Sequence, residues 1–140
     1  MLQLMSVEQA LVSAFIIPER RSRYIGLLES KRGREKFRRE LAHFRHFDPR
    51  FIRTIPAHQQ TPKDIESILR NLGAPNECFA FSEADQFDGN KLELGAALKT
   101  VVGQRYGTVL SCVPGSLAFY EGEEPGERFI LQRTQPSSAA

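Results

Sequence analysis

Glu77-Cys78-Phe79-Ala80-Phe81-Ser82 decides how this chain reads. It is a short apolar run with Ala74-Pro75-Asn76 before it and Glu83-Ala84-Asp85-Gln86-Phe87-Asp88-Gly89 after it. Turn residues on both flanks of a run this short are the form of a buried strand. Next, Leu94, Leu98 and Val101 recur at helical spacing within 91–102, and Gly103 suits a helix end because glycine takes the left-handed conformation cheaply. Residues 107–113, with Thr108, Val109, Leu110 and Val113, read as a second strand. Pro114-Gly115 turns the chain, residues 116–121 form another strand, 122–126 a polar turn, and 128–133 the last strand. Strand, helix, strand in this order predicts a parallel pair with a right-handed crossover, followed by antiparallel neighbours. Pro-Gly favours a type II turn, whereas tight hairpins prefer the primed types. Residues 114–115 therefore read as a wider loop or a bend.

Upstream, Ser6-Val7-Glu8-Gln9 fits a capping box, and Val7, Ala10, Leu11, Ala14 and Phe15 share a helical face that must end before Pro18. Pro18 can open a second helix with Tyr24, Leu27 and Leu28 inward. Phe37, Leu41 and Phe44 mark a further inward face, half a turn out of phase with Leu28. The helix is therefore broken near residues 30–33. Phe51-Ile52-Arg53-Thr54-Ile55 reads as the first strand. Thr61-Pro62-Lys63-Asp64 starts a helix whose stripe is Ile65, Ile68, Leu69 and Leu72, closed by Gly73 and Pro75.

These elements predict an α+β fold: N-terminal helices packed on a mixed sheet of about five strands, βαβαβ and then antiparallel. One domain over residues 1–134 and a disordered tail over 135–140 suit a chain of 140 residues. The longest apolar cluster near the start, residues 10–17, is far short of the roughly 20 residues a bilayer span needs. No basic leader precedes it, so a cytoplasmic chain is expected. Cys78 and Cys112 fall in different strands without metal-ligand spacing and read as small buried apolar residues. No cofactor and no metal is expected.

Charge divides the chain. Residues 1–60 carry 12 Lys and Arg against 6 Asp and Glu, a net +6, and the remainder is −4. The first functional expectation follows: a non-enzymatic binding or regulatory module that self-associates, as a homodimer, through opposite-charge surfaces. The second is nucleic-acid binding by the basic region Arg20 to Arg39, with Lys31, Arg32, Arg34, Arg38 and Arg39 meeting phosphates. A solvated helical face with local Glu–Arg pairs explains the same pattern. Third, if the strands run parallel, their carboxyl ends gather His58, Ser82, Glu83, Asp85, Asp88, Cys112, Gly115 and Ser116. A hydrolase or transferase there would use Cys112 or Ser116 as nucleophile, His58 as base and amides around Gly115 as oxyanion donors. Ser82, Glu83, Asp85, Asp88 and Gly115 are the ligand-binding candidates, although Asp before Gly is also common as a turn residue. Two weaker cation readings use Glu83, Asp85 and Asp88, or His43, His46 and Asp48. An acidic, aromatic strand end at residues 119–124 is a possible partner surface, with Leu117 and Phe119 inward and Tyr120 partly exposed.

Overall fold

A computed structural model describes residues 5–124 and 127–133; the proposed tail at 135–140 and part of the 122–126 turn lie outside the described residues. Five helices are described: α1 (Val7–Phe15), α2 (Pro18–Leu28), α3 (Lys31–Glu40), α4 (Pro62–Asn71) and α5 (Leu94–Val101). The strands are β1 (Ile52–Thr54), β2 (Glu77–Ser82), β3 (Lys91–Glu93), β4 (Thr108–Val113), β5 (Leu117–Glu121) and β6 (Arg128–Gln132). They form one sheet in the order β1-β6-β5-β4-β2-β3. The fold is α+β, with six strands rather than about five.

The starts follow from local chemistry. Ser6 and Gln9 complete the capping box of α1. Ser30 accepts from the Gly33 amide at 3.0 Å and starts α3 half a turn out of phase with α2, so both helices face inward. The expected break near residues 30–33 thus falls at Ser30, and residues 31–33 are already the first turn of α3. Thr61 caps α4, with Pro62 at its first position.

Every neighbouring pair in the sheet is antiparallel, which corrects the parallel βαβ expectation. The reason lies at Glu93. Its carboxylate accepts from the Gly95 and Ala96 amides, both at 3.0 Å, and so caps α5 one turn later than the apolar pattern implies. Lys91-Leu92-Glu93 stays extended and pairs back along Glu77–Phe79. This hairpin returns the chain to the start of β2, where the Leu94 amide meets the Asn76 carbonyl at 2.7 Å. α5 then carries it forward again, and β4 must run back against β2.

At Pro114-Gly115 a hairpin does form. The Ser116 amide bonds to the Val113 carbonyl at 2.9 Å, and Gly115 takes φ 75°. That glycine conformation belongs to a type II turn. The mismatch with strand twist is absorbed by a bulge in which Cys112 is the extra residue of β4 against β5.

The sheet is buried on both faces. α1 to α3 cover Phe81, Val109, Ala118, Tyr120 and Leu131. α4 and α5 cover Cys78, Ala80, Leu110, Cys112, Leu117, Phe119 and Ile130. Tyr120 is thus fully buried rather than partly exposed, its hydroxyl donating to the Leu41 carbonyl at 2.5 Å. Gly107 lies so close to the Leu41–Ala42 backbone that any Cβ there would overlap it. No helix among the described residues is long and apolar enough to cross a membrane.

Candidate polyanion-binding surface

The basic residues of α3 separate by helical phase. Arg34, Phe37, Arg38 and Leu41 follow the i, i+3, i+4, i+7 pattern of one face, and that face points into the protein. Lys31, Arg32, Lys36 and Arg39 point outward and are exposed. The two sets do different chemistry.

The inward pair forms a clamp. Arg34 reaches Glu8 of α1 at 2.7 and 3.0 Å, and both oxygens of Asp88 at 2.7 and 2.9 Å. Its guanidinium lies over the Phe81 ring, 5.1 Å from the centroid. The Glu8 and Asp88 bonds push its pKa well above the ordinary arginine value. Arg38 is only 7% exposed. It donates to the Ser82 carbonyl at 2.7 Å, the Glu83 carbonyl at 3.2 Å, Asp85 at 2.6 Å and Glu35 at 2.6 Å. Burial alone would lower its pKa, but the Asp85, Asp88 and Glu35 carboxylates more than offset that and the net shift is upward. Both arginines are thus fixed cations joining α1 and α3 to the loop after β2. They are removed from the set available to phosphate.

The same contacts account for the acidic loop. Ser82 is fully buried; its Oγ shares a hydrogen with Thr108 Oγ1 at 2.7 Å and accepts from the Ala84 amide at 3.0 Å. The Ser82 amide donates to Asp88 at 3.1 Å, and Glu83 accepts from the Gly107 amide at 3.0 Å. Asp85 is largely exposed and reaches back to Arg38. These residues close a loop onto a helix.

The antiparallel sheet disperses the catalytic candidates. β4 runs against β1, so Cys112, Gly115 and Ser116 lie at the opposite end of the sheet from His58. β6 and β5 intervene between β1 and β4, adding three strand spacings, about 14 Å. His58 is exposed in the turn Ala57–Gln59. Burial pushes the Cys112 thiol up to about 12, the reverse of what an activated nucleophile needs.

The cation readings fare similarly. His43 pairs with Glu123, His46 packs its ring against Tyr24 and Phe44, and Asp48 binds Arg50 at 2.7 Å. Among the described residues no group of three or more His, Cys, Asp or Glu could hold a metal ion. The acidic strand end is also engaged. Glu121 is buried against Arg128 at 2.8 and 2.9 Å and accepts from the Gly103 amide.

What remains is a groove between α2 and α3. Arg23, Lys31, Arg32, Lys36 and Arg39 line it, with Glu35 and Glu40. No known family model, curated protein or solved structure matches this chain.

The two groove acids are partly engaged elsewhere. Glu35 bonds Arg38, and Glu40 accepts the Tyr24 hydroxyl at 2.7 Å. Burial and Glu40 together raise Tyr24 to about 12, so it stays a neutral donor. Arg39 is 80% exposed, with Glu35 no nearer than 4.0 Å, and Arg23 stands 3.9 Å from Glu40. Among the described residues, Lys31, Arg32 and Lys36 have no carboxylate within ion-pair distance. Arg39 and Glu40 also border a second hollow with His43, Arg45 and His46, so the basic strip continues past α3. The helix alone contributes about 15 Å of that length. The sequence signal for the division was present: Arg34 and Arg38 are in phase with Phe37 and Leu41.

Proposed function

We propose that this chain is a non-enzymatic binding module whose ligand is a polyanion, a nucleic-acid backbone, taken up along the α2–α3 groove. The observation that carries the reading is the charge left after internal pairing: Lys31, Arg32, Lys36 and Arg39 are exposed on α3 and Arg23 faces them from α2. Clustered exposed cations bind phosphates by releasing condensed counterions. No exposed aromatic lines the groove; among the described residues the exposed large apolar side chains are Met5 and Tyr106. Base stacking of the kind that single-strand binders use is therefore absent from the reading, and recognition is of backbone charge.

The charge division that suggested self-association has a different use in this reading. Acidic residues of the second half meet cations of the first within one chain: Asp88 with Arg34 and Asp85 with Arg38. Opposite charge consumed inside the fold is not available to join two copies. We assign the protein to the cytoplasm, because its two unbridged cysteines suit a reducing compartment.

The test is a salt titration of binding to a mixed-sequence duplex. Five groove cations give an expected slope of log K against log salt of about −4.5. The triple variant Arg32→Glu, Lys36→Glu, Arg39→Glu should weaken binding to every sequence and flatten the slope by about 3. Its fold should survive, since all three side chains are exposed. Unchanged affinity and slope in a folded variant would sink the proposal.

A further inference from the structure

Outside the groove, the two cysteines carry an inference of their own. The β2–β4 ladder pairs Phe79 with Ser111, Ala80 with Leu110, Phe81 with Val109 and Ser82 with Thr108. Just beyond it, the Glu83 amide donates to the Gly107 carbonyl at 2.9 Å, so that pair is hydrogen-bonded. Pairs alternate in an antiparallel ladder, which makes 81 with 109 and 79 with 111 hydrogen-bonded, and 82 with 108 and 80 with 110 not. The outer bonds agree. Ala80 donates to Asn90 and accepts from Gly89, on the β3 side, while the Ser82 amide goes to Asp88.

The β2–β4 pairing ends at Phe79 and Ser111; continued by one residue, its register would set Cys78 opposite Cys112 at a non-hydrogen-bonded position. Cα atoms in such pairs lie about 4.5 Å apart, with side chains close. Disulfides span Cα separations of roughly 4.4–6.8 Å. Both cysteines point to the same face, among Ala80, Leu110 and the α5 side chains. Both also border an open cleft of 300 Å³ at the strand ends, with Val7, Glu77, Lys91 and Pro114. Cys112 is the bulged residue against β5, so it can adjust without breaking a pair of that ladder.

We infer that Cys78 and Cys112 are a redox-active dithiol that closes to a cross-strand disulfide when a small-molecule disulfide reaches the cleft. One thiolate attacks the reagent, expels a reagent thiol and forms a mixed disulfide. The second thiolate displaces the remaining half. Two electrons pass to the reagent, the two cysteine protons end on the two reagent thiols, and one protein S–S bond replaces one reagent S–S bond. The link fastens β2 to β4 and encloses β3, α5 and the acidic loop that holds the arginine clamp. The reaction is slow near neutrality. Burial lifts Cys78 to about 11 and Cys112 to about 12, so only a small thiolate fraction is present.

The experiment treats the folded chain with excess glutathione disulfide and digests it without reduction. The expected product is a linked peptide pair containing Cys78 and Cys112, in a chain that stays folded and has a higher urea midpoint. The rate should rise about tenfold per pH unit between 7 and 10, because both thiols ionise above that window. Cys112→Ser, checked to be folded, should stop at a mixed disulfide or remain unmodified. Links between two molecules, mixed disulfides that persist in the wild-type chain, or closure only in urea would each overturn the inference.

Discussion

Replacing Arg38 with Met tests the clamp directly. Met keeps much of the length and apolar stem while removing the guanidinium. Five acceptors lose the guanidinium, the Ser82 and Glu83 carbonyls and the Asp85, Glu35 and Asp88 carboxylates, but they do not count equally. Asp85 and Glu35 side chains are 91% and 45% exposed, so water replaces Arg38 there and each loss costs about 0–1 kcal/mol. Asp88 keeps Arg34 and the Ser82 amide. The Ser82 carbonyl is the severe loss: its residue is fully buried and the Arg38 bond is 2.7 Å long, so an unsatisfied acceptor costs about 1–3 kcal/mol. The total expected is about 2–4 kcal/mol, at the lower end of what breaking a buried ion pair costs. Urea denaturation followed by circular dichroism reads it as a lower midpoint at unchanged slope. Arg32→Met, on the outward face, should stay within about 0.5 kcal/mol of wild type. If Arg38→Met were as stable as Arg32→Met, the division of α3 into a structural and a free basic face would be refuted.

Two other perturbations probe separate contacts. Gly107→Ala forces a Cβ into the Leu41–Ala42 backbone and should cost about 1–3 kcal/mol or prevent folding, measured by thermal melting beside Gly26→Ala, whose Cβ meets open space and which serves as the control. Asp48 should make stability depend on pH. The Arg50 side chain, more than burial, sets its pKa below the ordinary carboxylate value. A lowered folded-state pKa gives stability that is present above the unfolded value and lost as pH falls through the folded one. Wild type should therefore exceed Asp48→Asn at pH 7, and the gap should close as pH drops below about 4. A constant gap in urea midpoints across that range would contradict the assignment.

How much of this was legible depended on range. Capping residues are local, and Ser6, Thr61 and the phase change between Leu28 and Phe37 placed α1 to α4 correctly. β2, β4, β5 and β6 were legible from their apolar runs. β3 was hidden because Glu93 acts as a helix cap, a role more often filled by Ser, Thr, Asp or Asn. That one residue reversed the sheet's direction and with it the supposed gathering of Cys112, Ser116 and His58. Tyr120 was misread because alternation assumes one solvated face, and here helices cover both. The inward phase of Arg34 and Arg38 was readable from their spacing, but their partners at Asp85, Asp88 and Ser82 are more than forty residues away in the chain. Periodicity alone does not name such partners.

The strands at the two edges of the sheet, β1 and β3, are three residues each, with Arg53, Lys91 and Glu93 exposed. Short charged edges offer little template for another chain. The four longer strands, β2, β4, β5 and β6, sit inside the sheet. Precipitation of this protein should then be governed by how often the sheet opens rather than by concentration of the intact form. Loss on heating would follow the unfolding rate, and anything that slows opening would lengthen shelf life even where it leaves the folded surface untouched.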